Sequence, residues 1–141
     1  MALPEPTAGL VIGYAYLWQD EARSGQEEGL KDRPCVIILS VEDEGGERIV
    51  HVAAITHTPP HRSGEAVELP AQTKQRLGLD EARSWIVTTE LNRFVWPGPD
   101  LRSIARGTAS PFAFGSVPLG ILKQVINQIR ERRGVGSVRR G

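Results

Sequence analysis

The chain has 141 residues and a mass of 15.4 kDa, which predicts one domain with a core of its own. Its single cysteine, Cys35, excludes an internal disulfide and suits a reducing compartment. No apolar stretch approaches the roughly 20 residues of a membrane-spanning helix, and the start MALPEPTAG lacks the features of a secretion signal. We therefore expect a soluble, cytoplasmic protein.

The charge is balanced overall but divided along the chain. Seventeen basic and seventeen acidic residues give a formal net charge of zero, which argues against a general polyanion binder. Residues 1–70 carry twelve acidic and five basic side chains, whereas residues 71–141 carry five and twelve. Such a chain either presents a basic face to a partner or neutralises its own other half.

The first half of the chain predicts three strands. Leu10 to Trp18 is rich in β-forming residues, and the polar segment from Gln19 to Asp32 predicts a long loop. Cys35 to Val41 is a continuous apolar run, typical of a buried strand, and Arg48 to Thr56 predicts its partner. Gly45-Gly46 lies between them and suits a hairpin turn, so we expect these two strands to be antiparallel.

The second half predicts shorter strands and two helices. Val67 to Leu69 and Ser84 to Glu90 have strand character, and Pro70 opens a helical turn that ends at Gly78. The segment "LNRFVWPGPDLR" is rich in Trp, Pro and Gly, and its part "NRFVWPGPDLR" is interpreted as an insert.

A final amphipathic helix is predicted by apolar residues at i, i+3, i+4 and i+7, which are Leu122, Val125, Ile126 and Ile129. Ser116 is the expected cap, with Pro118 in the first turn. The fold class expected from these elements is mainly β with α, a small β-barrel with a C-terminal amphipathic helix. We expect a single domain over residues 1–133 and a basic flexible tail over residues 134–141.

Several common sites are missing from the sequence. It contains no P-loop, no glycine-rich dinucleotide turn and no G-x-S-x-G motif. His57 and His61 are separated by Pro59-Pro60 and so cannot share one helical face, and no cysteine or carboxylate completes a ligand set. Neither a metal nor a cofactor is predicted.

Arg33 is the most informative single position. The segment "EEGLKDRPCVIIL" sets it at the mouth of the predicted buried strand, and Thr56 ends the partner strand, so antiparallel pairing makes the two residues neighbours. A guanidinium beside a hydroxyl can bind phosphate, because Arg offers paired charged donors and Thr a short directional one. The alternative is a surface ion pair of Arg33 with Glu27, Glu28 or Asp32.

The ordered set of segments resembles the MazF/PemK (Kid) family of toxins from type II toxin–antitoxin modules. The matching pieces are the first strand ending in Trp18, then "SGQEEGLKDRPCVIIL", the strand ending "AIT", "VELP…GLDEARSWIV" and "FGSVPLGILKQVINQI". They cover residues 9–131 in the family's order. The resemblance implies an SH3-like barrel, a homodimer, a cognate antitoxin protein and metal-independent, sequence-specific cleavage of single-stranded RNA.

The resemblance also implies roles for individual residues. Arg33 and Thr56 match the family's active-site arginine and threonine, which would stabilise charge at phosphorus and orient a phosphate oxygen. Glu90 is the candidate acid–base partner, and His57 is a second candidate because an imidazole exchanges its proton near neutral pH. Attack by the 2′-oxygen would leave a 2′,3′-cyclic phosphate, and which residue is base and which acid stays open.

The further candidates for substrate binding are Gln26, Glu27, Lys31, Thr88 and Asn92. Gln26 stands where some family members have a histidine, and Thr88 where others have an arginine. These departures favour a competing hypothesis, a catalytically inactive SH3-like barrel that binds an antitoxin or nucleic acid. A purely structural β-barrel subunit is a third possibility.

The basic end of the last helix is the candidate surface for an acidic antitoxin. Arg130, Arg132 and Arg133 lie there, in the positively charged half of the chain. The alternative is that these arginines only complement the negative end of the helix dipole.

Overall fold

The computed structural model describes residues 3–25, 32–104, 111–132 and 136–140. Within these ranges the chain is mainly β, with eight strands and three helices. In chain order they are β1 (Leu10–Ala15), α1 (Gln19–Arg23), β2 (Asp32–Glu42), β3 (Arg48–Thr56), β4 (Ala66–Glu68), α2 (Ala71–Leu77), β5 (Trp85–Val87), β6 (Glu90–Val95), β7 (Ala113–Ser116), α3 (Leu119–Glu131) and β8 (Gly136–Arg139). None of these helices is long and apolar enough to cross a lipid bilayer.

The strands form one curled sheet in the order β4-β5-β3-β2-β1-β7. The first half of β3 pairs with β6, and its last two residues pair with β5. These pairings are antiparallel, whereas β8 lies parallel to β6. The predicted class of mainly β with α is confirmed, and the curled sheet agrees with a small β-barrel.

The central hairpin of β2 and β3 is apolar on both faces. Val36 and Ile38 of β2 pack into the cluster under α3, while Cys35 and Ile37 point to a second cluster that contains Tyr14 and other aromatic rings. A strand covered on both sides reads as an unbroken apolar run, which is the pattern of the sequence here. Cys35 is fully buried, so burial raises the pKa of its thiol and makes it a core residue.

Two predicted turns have the expected backbone. The β2–β3 hairpin pairs Glu42 with Arg48, and Gly46 takes a φ of 82° in the turn between them. Gly78 ends α2 in the left-handed conformation, with a φ of 74°.

Three elements differ from the prediction. The polar segment after β1 contains α1, whose start is held by Glu21 Oε1 accepting from the Trp18 backbone N–H at 2.9 Å. The segment interpreted as an insert contains the last four residues of β6, among which Phe94 is buried and stacks on Tyr14 with ring centroids 4.7 Å apart. Pro118 occupies the N-cap of α3, and no side-chain hydrogen bond from Ser116 caps the helix.

A further strand, β8, follows α3 in the segment where the sequence predicts a basic tail. Arg140, next to this strand, is 5% exposed and its guanidinium has three polar partners. Its Nη2 lies 2.8 Å from Asp100 Oδ2, and its Nη1 donates to the Ala15 carbonyl and to Asn92 Oδ1. A buried charge needs such partners, and they hold the end of the chain against the sheet.

Replacing Arg140 should therefore destabilise the protein. In Arg140→Ala, Asp100 keeps its charge without a partner, and we expect a loss of about 3 kcal/mol in the free energy of unfolding, measured in urea. The matched control is Arg139→Ala, which removes the exposed arginine just before Arg140 and should change stability by about 0.5 kcal/mol or less. Equal effects of the two substitutions would contradict the role given to Arg140.

Candidate active site at the mouth of the central hairpin

The register of the central hairpin brings Arg33 and Thr56 together. Cys35 pairs with Ala54, and continuing this register by two residues sets Arg33 opposite Thr56. Side chains alternate along a strand, so both residues lie on the face that further along carries Ile37. The neighbourhood predicted from the sequence is confirmed, since both residues line the same two cavities.

We call the two cavities the His57 chamber and the Glu90 chamber, each after one residue of its lining. The His57 chamber has a volume of about 480 Å³ and is also lined by Lys74, Asp80 and Ser84. The Glu90 chamber has a volume of about 530 Å³ and is also lined by Trp18, Pro60 and Glu65. Both are within the range of about 300–1,000 Å³ that small-molecule sites occupy. They share Arg33, Thr56 and Thr58, so the Arg33–Thr56 pair stands between them.

Arg33 offers a positive charge that no carboxylate of the described residues neutralises. Its guanidinium lies 5.0 Å from the ring centroid of Trp18, and its Nε is buried without a hydrogen-bond partner. Asp32, one of the predicted alternative partners, turns to Arg102 at 3.4 Å. The other two, Glu27 and Glu28, lie outside the described residues. A buried donor without an acceptor is costly, and an anionic ligand would satisfy it.

The Thr56 hydroxyl is oriented by the backbone that follows it. Its Oγ1 accepts a hydrogen bond from the Thr58 N–H at 3.2 Å. The hydroxyl keeps its own hydrogen for another acceptor, such as a phosphate oxygen.

Glu90 is half-buried at the start of β6, with one oxygen occupied. Its Oε2 accepts from the Gln19 backbone N–H at 2.8 Å and from the Tyr16 hydroxyl at 3.3 Å. Burial raises the pKa of Glu90 above its ordinary value, and the nearby carboxylates of Asp20 and Glu21 act in the same direction. A raised pKa favours the protonated carboxyl, which is the form that can act as a general acid.

His57 belongs to a chain of polar contacts that begins on α2. Its Nε2 lies 2.7 Å from Asp80 Oδ2, and Asp80 Oδ1 accepts from Lys74 Nζ at 2.6 Å. Lys74 is 4% exposed and also donates to the Ser84 hydroxyl and to the Ala82 carbonyl. The hydrogen bond from Lys74 holds the pKa of Asp80 below its ordinary value, so this carboxyl is ionised at neutral pH.

The sequence-based prediction missed Lys74, Asp80 and Ser84. A lysine inside a helical segment is ordinarily solvated, and nothing in the residue order marks Lys74 as buried. The closest signal is the left-handed turn at Gly78, which reverses the chain and returns Asp80 over α2.

Two predicted substrate-binding residues lie away from the chambers. Thr88 is 0% exposed, and its hydroxyl donates to Gln128 Oε1 of α3 at 2.8 Å. Asn92 is also fully buried, with Nδ2 donating to the Leu17 carbonyl at 2.7 Å. The Thr88 hydroxyl and the Asn92 amide thus hold parts of the fold together. The prediction that these two residues bind substrate is corrected accordingly. Gln26, Glu27 and Lys31 lie outside the described residues.

Comparison with known proteins adds no assignment. No protein-family model matches the chain, and no curated protein matches its sequence. In the part of the chain that the structure describes, no group of three His, Cys, Asp or Glu side chains could hold a metal ion.

The half-buried carboxyl of Glu90 predicts a pH-dependent contribution to stability. Its folded pKa lies above the ordinary value of 4.5, so from about pH 4.5 upwards the folded state binds more protons than the unfolded state. The stability that this group contributes is present at low pH and is lost as pH rises through the raised pKa. Glu90→Gln should therefore gain stability relative to the wild type as pH rises above 4.5, with the gain levelling off once pH has passed the raised pKa, measured by urea unfolding.

The control for this measurement is Glu68→Gln. A hydrogen bond from Arg83 lowers the pKa of Glu68, so its pH window lies below 4.5. The stability of this variant relative to the wild type should stay constant over the same pH interval. A constant difference for Glu90→Gln as well would contradict the raised pKa.

Proposed function

We propose that this protein is a metal-independent endoribonuclease that cleaves single-stranded RNA at specific sequences and leaves 2′,3′-cyclic phosphate ends, as the toxin of a type II toxin–antitoxin module. One observation carries the proposal. Arg33 and Thr56 line both chambers, while His57 lines one and Glu90 the other. An anion-binding pair with a proton-exchanging group on each side is the arrangement that in-line attack at phosphorus requires.

The chemistry needs only groups of this chain and of the RNA. A base removes the proton of the 2′-hydroxyl, the 2′-oxygen attacks the adjacent phosphorus, and an acid protonates the leaving 5′-oxygen. The phosphate would lie between the chambers, where the guanidinium of Arg33 stabilises the added negative charge and Thr56 donates to an oxygen. Such fixed donors act most strongly in a site from which water is partly excluded. The substrate must be RNA, because DNA lacks the attacking hydroxyl.

The barrel type, the homodimer and the antitoxin follow from the resemblance to the MazF/PemK family, and the cytoplasmic location follows from the single cysteine. We propose an SH3-like barrel that forms a homodimer, acts in the cytoplasm and is neutralised by an acidic antitoxin. Arg130 is exposed on α3, and this exposure supports its place in the proposed antitoxin surface. Arg132 is partly engaged, as its Nη2 donates to the Gly64 carbonyl at 2.9 Å, and Arg133 lies outside the described residues.

Loss of Arg33 should remove RNA cleavage and leave the fold intact. In Arg33→Ala we expect cleavage to fall by about 10²–10³-fold or more, because the charge that stabilises the transition state is gone. Thr56→Ala should lose about tenfold, since a neutral hydrogen bond contributes less than a charged one. The assay incubates purified protein with a long single-stranded RNA in EDTA and detects cyclic-phosphate ends.

The matched control is Arg48→Ala, which removes an arginine from the opposite end of the same hairpin. Arg48 is the first residue of β3 and lies 4.0 Å from Glu42, so this variant should cleave like the wild type. RNA left intact by the wild type would support the competing binding module instead. Full activity in a folded Arg33→Ala protein would overturn the assignment of the site.

The antitoxin surface is tested by replacing Arg130, Arg132 and Arg133 together with Ser. The probe is the product of a short reading frame next to this gene, if that product is acidic and binds the wild type. The triple variant should bind it more weakly and with a flatter dependence on salt, because exposed charges are screened within about 10 Å at 0.1 M salt. Unchanged affinity and salt dependence would assign these arginines to the helix dipole.

A further inference from the structure

We propose that Asp80 is a positioning residue for His57, and that the buried Lys74 holds Asp80 in place for that role. The inference rests on the proposed ribonuclease function and assigns the general base within it. It identifies a three-residue relay, Lys74–Asp80–His57, whose outer end, His57, lines the same chamber as Arg33 and Thr56.

The relay is rigid at its inner end. Lys74 is buried on α2 and spends its three donors on Asp80, Ser84 and the Ala82 carbonyl. An exposed ion pair is ordinarily weak, because both side chains lose freedom when it forms. Here Asp80 is already held at one oxygen by Lys74, so only the imidazole of His57 has to be ordered by the other oxygen.

The contact selects which nitrogen of His57 is free. Asp80 is an ionised acceptor, so the nitrogen 2.7 Å away, Nε2, must carry the proton. Nδ1 then has the lone pair, and no partner for it occurs among the described residues. The side chain is 61% exposed on the wall of the chamber, so a substrate hydroxyl can reach it.

The charged groups around the imidazole come from three parts of the chain. β2 contributes Asp32 and Arg33, α2 contributes Lys74, and the turn after α2 contributes Asp80. Lys74 and Asp80 neutralise each other, and Asp32 pairs with Arg102. Arg33 is left to attract the phosphate, while Asp80 holds the imidazole through the contact with Nε2.

In the cleavage step, His57 accepts one proton and Glu90 donates another. The O2′–H bond breaks and its proton moves to Nδ1 of His57, while the 2′-oxygen forms a bond to phosphorus. The bond between phosphorus and O5′ breaks, and O5′ takes the proton of the Glu90 carboxyl. His57 leaves the step as an imidazolium hydrogen-bonded to Asp80, and Glu90 as a carboxylate that keeps its bonds to Gln19 and Tyr16.

The test compares Asp80→Asn in two backgrounds, the wild type and His57→Ala. Asn has the shape of Asp and its amide oxygen still accepts from Lys74, so the variant keeps the local fold, which circular dichroism and thermal unfolding check. The substrate is a short oligonucleotide that spans a cleavage site mapped on the wild type. The control is Glu81→Gln, which removes an exposed carboxylate from the next residue.

We expect Asp80→Asn to lower kcat by about tenfold or more with KM changed by less than about twofold, because Asp80 does not touch the RNA. In the His57→Ala background the same substitution should have no further effect, since the group that Asp80 positions is gone. Glu81→Gln should behave as the wild type. A purely structural role of Asp80 would instead lower activity equally in both backgrounds.

Failure of this inference differs from failure of the proposed function. If the wild type cleaves RNA and Asp80→Asn has unchanged kcat, or loses equal activity in both backgrounds, the positioning role is overturned and the ribonuclease stands. If the wild type leaves RNA intact while a control ribonuclease cleaves it, both the function and the role of Asp80 are overturned.

Discussion

The antiparallel register of β2 and β3 is the constraint on which the candidate site depends. Apolar side chains cover both faces of this hairpin, so a shift by one residue would exchange the two clusters and leave neither well packed. The same register sets Arg33 opposite Thr56. The hydrophobic core thereby determines the position of a polar pair that contributes little to stability itself.

Buried cations hold the segments that surround this pair. Lys74 draws the turn after α2 onto the helix and carries Asp80 to the wall of the His57 chamber. Arg140 binds the last described residues to the sheet through Asp100 and the carbonyl of Ala15. Each charge is expensive to bury and would be unstable without its partners, so each defines one local arrangement of the backbone around it.

The two chambers favour different protonation states of the carboxyl groups that line them. Glu90 is partly buried and lies near the carboxylates of Asp20 and Glu21, and both features favour its neutral form. Asp80 receives a hydrogen bond from a buried ammonium, which favours its ionised form and makes it an acceptor for His57. The pKa of Glu90 and the pKa of Asp80 are thus shifted in opposite directions, which supports the proposed roles of Glu90 as acid and of His57, held by Asp80, as base.

The amino-acid sequence by itself determined those elements of the fold that depend on short-range hydrophobic periodicity and on turn residues. Local features were sufficient to predict the central hairpin, α2 and the proximity of Arg33 and Thr56. These features are the apolar run from Cys35, the two glycines of the hairpin turn and Gly78. Short periodicity and turn chemistry act within a few residues, so they can be identified without a fold.

Only the tertiary structure decided which polar residues face the chambers. Thr88 and Asn92 match expected site positions in the sequence, yet contacts with α3 and with Leu17 bury them. Lys74 and Asp80 carry no local signal, and they enter the site because α2 packs beside the open end of the hairpin. Burial and hydrogen bonding between segments distant in sequence depend on the packing of whole elements, which residue order does not display locally.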